Sequence, residues 1–214
     1  MKRVLIVSGG NVNRDIIKEL MKDNDFTHVI AVDKGLEALD EQKIMPDHII
    51  GDFDSVNEKI LDKYKQEEII IHKLDTEKDY TDTHMGLKLA IELGANEILI
   101  TGATGSRIDH TIANIHLLEE TLQENILCKI IDNNSELIVI DRDTKIKKDD
   151  KYKYISLIPL TNEVTGITLR GFKYKLENST LRIGQSIGIS NEQIEDIAHI
   201  EIQKGKLIVV KARD

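Results

Sequence analysis

Cysteine is almost missing from this chain. Cys128 is the single one among 214 residues, so no disulfide forms within the chain and no cysteine-rich metal site exists. That scarcity matches a reducing compartment, and Cys128, set in an apolar strand-like run, reads as a core residue. Long apolar runs are missing as well: no stretch approaches the ~20 residues that span a bilayer. Met1-Lys2-Arg3 ahead of Val4-Leu5-Ile6-Val7 has the outline of a secretory start. The run is too short for one, and Ser8-Gly9-Gly10-Asn11 ends it without a small-residue cleavage pattern. A cytoplasmic chain with no membrane association is the expectation. An excess of basic charge is also lacking, with 29 Lys and Arg against 38 Asp and Glu, a net charge of -9. This argues against nucleic-acid or anionic-membrane partners. An acidic protein that handles a polyphosphate needs a divalent metal between its carboxylates and the phosphates. Internal repeats, low-complexity segments, a Walker Gly-Lys-Ser/Thr ending, a Rossmann Gly-x-Gly-x-x-Gly and a Gly-x-Ser-x-Gly around Ser190 are all absent.

What is present is 40% hydrophobic residues, enough to fill one large domain or two small ones. In the first two-thirds of the chain, short β-rich runs alternate with helical patterns. The runs are 4–7, 28–32, 49–50, 69–71, 97–100 and 127–131. The helical patterns are 13–21, 36–42, 58–64, 82–93 (closed by Gly94) and 109–122. Continuous Val/Ile runs between amphipathic helices predict an α/β domain, a parallel sheet with helices on both faces. Ligands of such sheets bind beyond the carboxyl ends of the strands, where glycine and polar residues crowd the loops. The charged stretch 141–151 reads as a solvated hairpin or linker. After it come short β patterns at 154–160, 166–169, 180–183, 199–202 and 206–210, with a tight turn at Lys204-Gly205 and no helix. The expected organisation is an α/β domain over residues 1–140. A smaller all-β, sandwich-like or barrel domain follows over 141–214, and so small a unit often leans on its neighbour or on another subunit.

Three stretches carry candidate chemistry. At Gly51-Asp52-Phe53-Asp54-Ser55, an extended backbone would project Asp52 and Asp54 to one side roughly 6.5 Å apart, within reach of one cation or a metal pair. The competing reading is a solvated turn. Thr101-Gly102-Ala103-Thr104-Gly105-Ser106-Arg107-Ile108-Asp109-His110 joins a strand to a helix. Its small residues permit close approach to a ligand, and Arg107 could fork onto a phosphate; equally, Asp109 could be a plain N-cap. Asp75-Thr76-Glu77-Lys78-Asp79-Tyr80-Thr81-Asp82 opens another helix. Thr81 there is a natural N-cap and Asp82 a first-turn acid, or Asp82 is a third metal carboxylate and Lys78 a phosphate contact. His84, His110 and His116 lack paired ligand spacing and read as surface or packing residues.

Taken in order, these stretches resemble the thiamine pyrophosphokinase (thiamin diphosphokinase) family. The resemblance runs through Pro46-Asp47-x-Ile49-Ile50-Gly51-Asp52-Phe53-Asp54-Ser55, Glu77-Lys78-Asp79-x-Thr81-Asp82 and Gly102-Ala103-Thr104-Gly105-Ser106-Arg107-Ile108-Asp109-His110-x-x-x-Asn114. It continues in Ser156-Leu157-Ile158-Pro159-Leu160, Gly171-Phe172-Lys173-Tyr174-Lys175-Leu176 and Gly188-Ile189-Ser190-Asn191-Glu192. Two family glycines are replaced, by Lys34 and by Ser106. The resemblance implies transfer of a pyrophosphoryl group from ATP to thiamine, giving thiamine diphosphate and AMP. It implies Mg²⁺ on Asp52, Asp54 and Asp82, and an ATP site of Lys78, Thr81, Thr104, Gly105, Arg107 and Asp109. Thiamine would lie near Tyr174, Ser190 and Asn191 of the β domain, at a homodimer interface. Two rivals accompany this expectation: a metal-dependent glycosyltransferase using Asp52-x-Asp54, and a non-catalytic nucleotide-sensing module.

Overall fold

Branched apolar runs and helical apolar stripes sort the first part of the chain into an alternating α/β pattern. The computed structural model describes residues 1–214 except 24, 55 and 76–78. It divides into two compact units, Met1–Asn133 and Asn134–Asp214. In the first, β1 (Arg3–Val7), α1 (Arg14–Asp23), β2 (His28–Val32), α2 (Gly35–Glu41) and β3 (His48–Gly51) lead on to α3 (Glu58–Tyr64). β4 (Ile70–Lys73), α4 (Asp82–Glu92), β5 (Glu97–Thr101), α5 (Ile108–Gln123) and β6 (Leu127–Ile131) complete it. All six strands run parallel, in the order β4-β3-β2-β1-β5-β6. The chain moves outward through β2, β3 and β4, then returns to the other side of β1 for β5. The winding therefore reverses between β1 and β5.

Strand alternation assigns the two faces. Leu5, Val7, Val29, Ala31, Ile49 and Leu99 pack with Ile16, Ile17 and Leu20 of α1, Leu36 and Leu39 of α2, and Tyr64 of α3. The even-numbered face lies under α4, where a Cβ placed on Gly86 would come within 2.9 Å of Val32 Cγ2. α5 covers β6. Helices on both faces are thus as the alternating pattern requires. Cys128 is buried in β6, and desolvation pushes its thiol up to about 12, with a bond to Thr121 offsetting part of the rise. Among the described residues no helix is long and apolar enough to cross a membrane.

The second unit is built from antiparallel strands alone: β7 (Ser135–Ile140), β8 (Thr144–Lys147), β9 (Tyr154–Pro159), β10 (Glu163–Arg170), β11 (Ser179–Arg182), β12 (Ile197–Glu201) and β13 (Leu207–Ala212). β13 pairs with β7 and β9, and a four-stranded sheet runs β11-β10-β12-β8. Ile155, Leu157, Val209, Val164, Ile167 and Ile200 share one core, so the strands form a sandwich. The charged stretch 141–151 is not a linker throughout: β8 lies in it and pairs with β12, and Ile146 supplies the inward side chain.

Three histidines sit on one face of neighbouring strands: His28 on β2, His48 on β3 and His72 on β4, with successive ring centroids 5.5 Å apart. His48 is buried, and desolvation first, then the charges of His72 and His28, hold its imidazole below the ordinary histidine value, while Asp47 pulls weakly the other way. In the unfolded chain it titrates near ~6.5. As pH falls through and below that value the unfolded chain takes a proton that the folded one resists, so stability drops. Thermal unfolding at pH 7.5 and 5.5 should show a larger fall in Tm for the native chain than for His48→Gln, and equal falls would contradict the assignment.

Candidate active site

The site begins with two strand ends whose backbones touch. Beyond β1, Ser8 N donates to Thr101 O at 2.8 Å, Gly10 N to Gly102 O at 2.8 Å and Asn11 N to Thr104 O at 2.7 Å. The loops after β1 and β5 therefore close on each other at the point where the winding reverses, the place where open parallel sheets bind ligands. Glycine is required there. A Cβ at Gly10 would fall 2.4 Å from the carbonyl oxygens of both Gly102 and Thr104, and Gly102 has φ 70° with no room for a side chain against Ser8 O. Polar side chains fix the surrounding helices. Ser8 Oγ and Thr83 Oγ1 share a buried 2.5 Å hydrogen bond that ties the first turn of α4 to β1. Thr81 caps α4 by accepting from His84 N at 3.2 Å. Buried Asn114 donates from Nδ2 to Ala103 O at 2.7 Å, holding α5 to the loop.

These loops enclose a cavity of about 620 Å³. Of the residues expected at a site, Asp52, Asp54, Asp82, Thr81, Thr104, Gly105 and Arg107 all line it. Asp109 does not; it is exposed and bonded to Arg107, with Nη2 to Oδ2 2.6 Å. That pairing holds the Asp109 carboxyl below its usual value and the guanidinium above its own. Neither is Asp109 the N-cap of α5: Arg107 occupies that position, without a side-chain cap. Lys78 lies outside the described residues. Further lining residues come from positions not singled out as site residues from sequence: Asn11, Asp33, Lys34, Thr83, His110, Thr111 and Asn114. His110 and Asn114 stand four apart on α5 and so share a helical face. Both belong to the stretch that carries the family resemblance, and Asn11, Asp33 and Lys34 belong to loops that follow strands, so the sequence marks these segments without giving the residues individual roles.

The geometry of the aspartate pair differs from the expected one. β3 ends at Gly51, Phe53 takes a left-handed conformation with φ 64°, and Asp54 N donates to Asp52 Oδ1 at 3.1 Å. Asp52 and Asp54 meet the cavity through a turn closed by the Asp52 carboxylate, not as alternate residues of a strand. Behind them, a Cβ at Gly51 would lie 2.1 Å from Asp33 Oδ1, so the loops after β2 and β3 are in contact. Asp33, Asp52, Asp54 and Asp82 face the cavity against the fixed charges of Lys34 and Arg107. No three His, Cys, Asp or Glu side chains among the described residues are drawn together into a metal-holding group. The available donors are nevertheless hard oxygens, the set that suits Mg²⁺ or Ca²⁺.

The other expected residues are in the second unit. Asn191 is buried, and its amide is engaged with the backbone: Nδ2 donates to Tyr174 O at 2.7 Å, and Oδ1 accepts from Tyr174 N and Glu192 N, both at 2.9 Å. Its described role is to fix the Tyr174 backbone. Tyr174 itself is exposed, with Lys173 Nζ 5.5 Å from its ring centroid. Ser190, with φ 57°, donates its N–H to Ser156 Oγ at 3.0 Å.

Comparison with known proteins matches both units. A family model described as "Thiamin pyrophosphokinase, catalytic domain" covers residues 17–130, and one described as "Thiamin pyrophosphokinase, vitamin B1 binding domain" covers residues 143–207. The chain is 36% identical over 216 residues to the thiamine pyrophosphokinase of Bacillus subtilis (strain 168), with 100% of both chains covered. The crystal structure of thiamine pyrophosphokinase from Bacillus subtilis superposes with a TM-score of 0.90 at 33% identity over 100% of each chain. That from Geobacillus thermodenitrificans superposes with a TM-score of 0.88 at 31% identity, over 99% of this chain and 98% of that one.

The contact between the β1 and β5 loops predicts a graded response to added methyl groups. Gly10→Ala must separate two backbone carbonyls, and overpacking of this kind costs roughly 1–3 kcal/mol. Gly105→Ala, whose nearest neighbour would be Asn11 N at 3.3 Å, should cost less. Denaturant midpoints of the two variants check the order, and a Gly10→Ala midpoint equal to that of the native chain would contradict it.

Proposed function

The chain belongs to the thiamin pyrophosphokinase family, and from that membership we propose that it is an enzyme forming thiamine diphosphate, with ATP as donor and AMP as the second product. The observation that carries the reading is the meeting of Asp52, Asp54 and Asp82 with the glycine-rich turn at Thr104, Gly105 and Arg107 around one cavity, all within the matched catalytic region. Its volume, about 620 Å³, falls in the ~300–1,000 Å³ range of small-molecule sites.

In this reading the hydroxyethyl oxygen of thiamine attacks the β-phosphorus of ATP. A bond forms from that oxygen to phosphorus, the bond from the β-phosphorus to the bridging oxygen of the α-phosphate breaks, and its electron pair leaves with AMP. Asp52, Asp54 and Asp82 would hold Mg²⁺, which when bound neutralises polyphosphate charge. Thr104 and Gly105 offer hydroxyl and close backbone to the nucleotide, and Arg107 offers a guanidinium that Asp109 orients from outside the cavity. Thr81 keeps the head of α4 in place, and Lys78 completes the proposed phosphate contacts. The hydroxyl proton leaves as the bond to phosphorus forms, to water or to whichever of Asp54 and Asp82 is not engaged on Mg²⁺. Catalysis here is positioning and charge stabilisation more than covalent chemistry.

The second unit carries thiamine in this proposal, with Tyr174 and Ser190 as contacts and Asn191 as the residue that holds Tyr174. The acidic balance of the chain suits a thiazolium cation. We also assign the second unit to a homodimer interface. Ile183, Ile187, Ile189, Ile194 and Ile197 are exposed there and offer apolar side chains that a second subunit would cover. Sedimentation should give twice the 24.3 kDa chain mass, and a monomer would exclude the interface. The single buried thiol supports a cytoplasmic setting. The glycosyltransferase rival accounts for Asp52 and Asp54 alone and has no support from the family.

The test is a mass-spectrometric assay with ATP, Mg²⁺ and thiamine, run on the native protein and on Asp52→Asn. Thiamine diphosphate and AMP should form, cease with EDTA, and fall by orders of magnitude in the variant while its circular dichroism is unchanged. ADP as the product would overturn the pyrophosphoryl step. Near-native turnover by Asp52→Asn would remove the metal role of that carboxylate.

A further inference from the structure

We infer that Lys34 is a phosphate-binding residue of this cavity, contacting the polyphosphate of the nucleotide from the β2 side; this rests on the nucleotide reading above. The inference comes from the charges that line the cavity. Among the described lining residues two carry fixed positive charge, Lys34 and Arg107. Arg107 is already bonded to Asp109 through both Nε and Nη2. Lys34 makes no ion pair among the described residues, although Asp33, Asp52, Asp54 and Asp82 line the same cavity. Among the described residues, then, no carboxylate holds its ammonium, which can donate to a bound anion.

The backbone of Lys34 is well fixed for such a role. Asp33 takes a left-handed conformation, φ 48°, and its N–H donates to Ile50 O at 3.0 Å, which anchors the turn to β3. Leu36 N then donates to Asp33 O at 3.0 Å and Glu37 N to Lys34 O at 3.1 Å, so the chain enters α2 directly. A Cβ at Gly9 would meet Lys34 Cβ at 3.4 Å, placing the root of the lysine side chain against the β1 loop. Gly35 cannot be larger, because a Cβ there would sit 1.8 Å from Val7 O. The flexible four-carbon stem thus starts from a rigid point beside the loop junction. Polyphosphate brought among four aspartates meets unfavourable charge, and a lysine on the same wall reduces it without requiring fork geometry. The competing account, a solvated lysine that happens to border the cavity, predicts no effect on phosphate binding.

The test is calorimetric binding of ATP, ADP and AMP to the native protein, Lys34→Gln and Lys34→Arg, in EDTA and again in Mg²⁺. Because Lys34 is exposed, all three proteins should share one Tm. Native affinity should rise with phosphate number. Lys34→Gln should weaken ATP binding about tenfold, as expected for losing one hydrogen bond to a charged group, and leave AMP binding nearly unchanged. Lys34→Arg should restore most of the ATP affinity. Equal ATP affinity in the native protein and Lys34→Gln would overturn the assignment of Lys34 and leave the nucleotide site intact. Failure of the native protein to bind any of the three nucleotides would overturn the nucleotide reading, and the lysine assignment with it.

Discussion

Three backbone hydrogen bonds from the loop after β1 to the end of β5 and the loop that follows it are the constraint on which the rest of the site depends. They join the two strands at which the winding of the sheet reverses. Two of the helices that border the cavity are referred to that junction. α4 is tied to it through the hydroxyl pair of Ser8 and Thr83, and α5 through Asn114 and the Ala103 carbonyl. The demand for glycine follows from the same contact, since Gly10 and Gly102 stand where two backbones meet without space for a side chain. A site made this way has walls set by main-chain geometry. Its side chains can vary in charge without moving the walls.

Electrostatically the cavity is unbalanced, with four aspartates and two fixed cations among its described lining residues. Burying a tetra-anionic nucleotide beside four carboxylates is unfavourable, so the site requires a bridging cation, nearby basic side chains, or both. The Arg107–Asp109 pair illustrates why position matters more than count. Arg107 borders the cavity, yet its guanidinium is forked onto a carboxylate at the surface, which orients it and competes with phosphate for its donors.

Much of this architecture was legible in the residues. Continuous Val/Ile runs identified β1, β2 and β5, because strands buried on both faces are apolar at every position. Thr81 announced the start of α4 through its capping oxygen. β8 was hidden, since Thr144-Lys145-Ile146-Lys147 turns one apolar side chain inward and leaves the lysines in water, a pattern indistinguishable from a solvated loop. Asp52 and Asp54 reach the cavity by a route that strand alternation does not predict. Alternation reads an extended segment there, whereas Phe53 takes a left-handed conformation, one uncommon for a bulky residue and so not expected from its side chain. Asn11, Asp33 and Asn114 lie in stretches that the sequence marks as loops after strands or as part of the family resemblance, but each is an ordinary polar residue there and carries no role of its own. Only the folding together of separate strand ends gives them a common purpose.

The solitary cysteine has a practical meaning beyond its place in the core. Cys128 sits inside β6 with its thiol pushed up to about 12, so at neutral pH it is both covered and almost wholly protonated. A thiol-directed reagent added to the folded protein meets nothing it can attack, whereas the unfolded chain presents an ordinary cysteine. Labelling at this one position therefore measures how often the parallel sheet opens near β6, a clock of native-state fluctuation that needs no engineered probe.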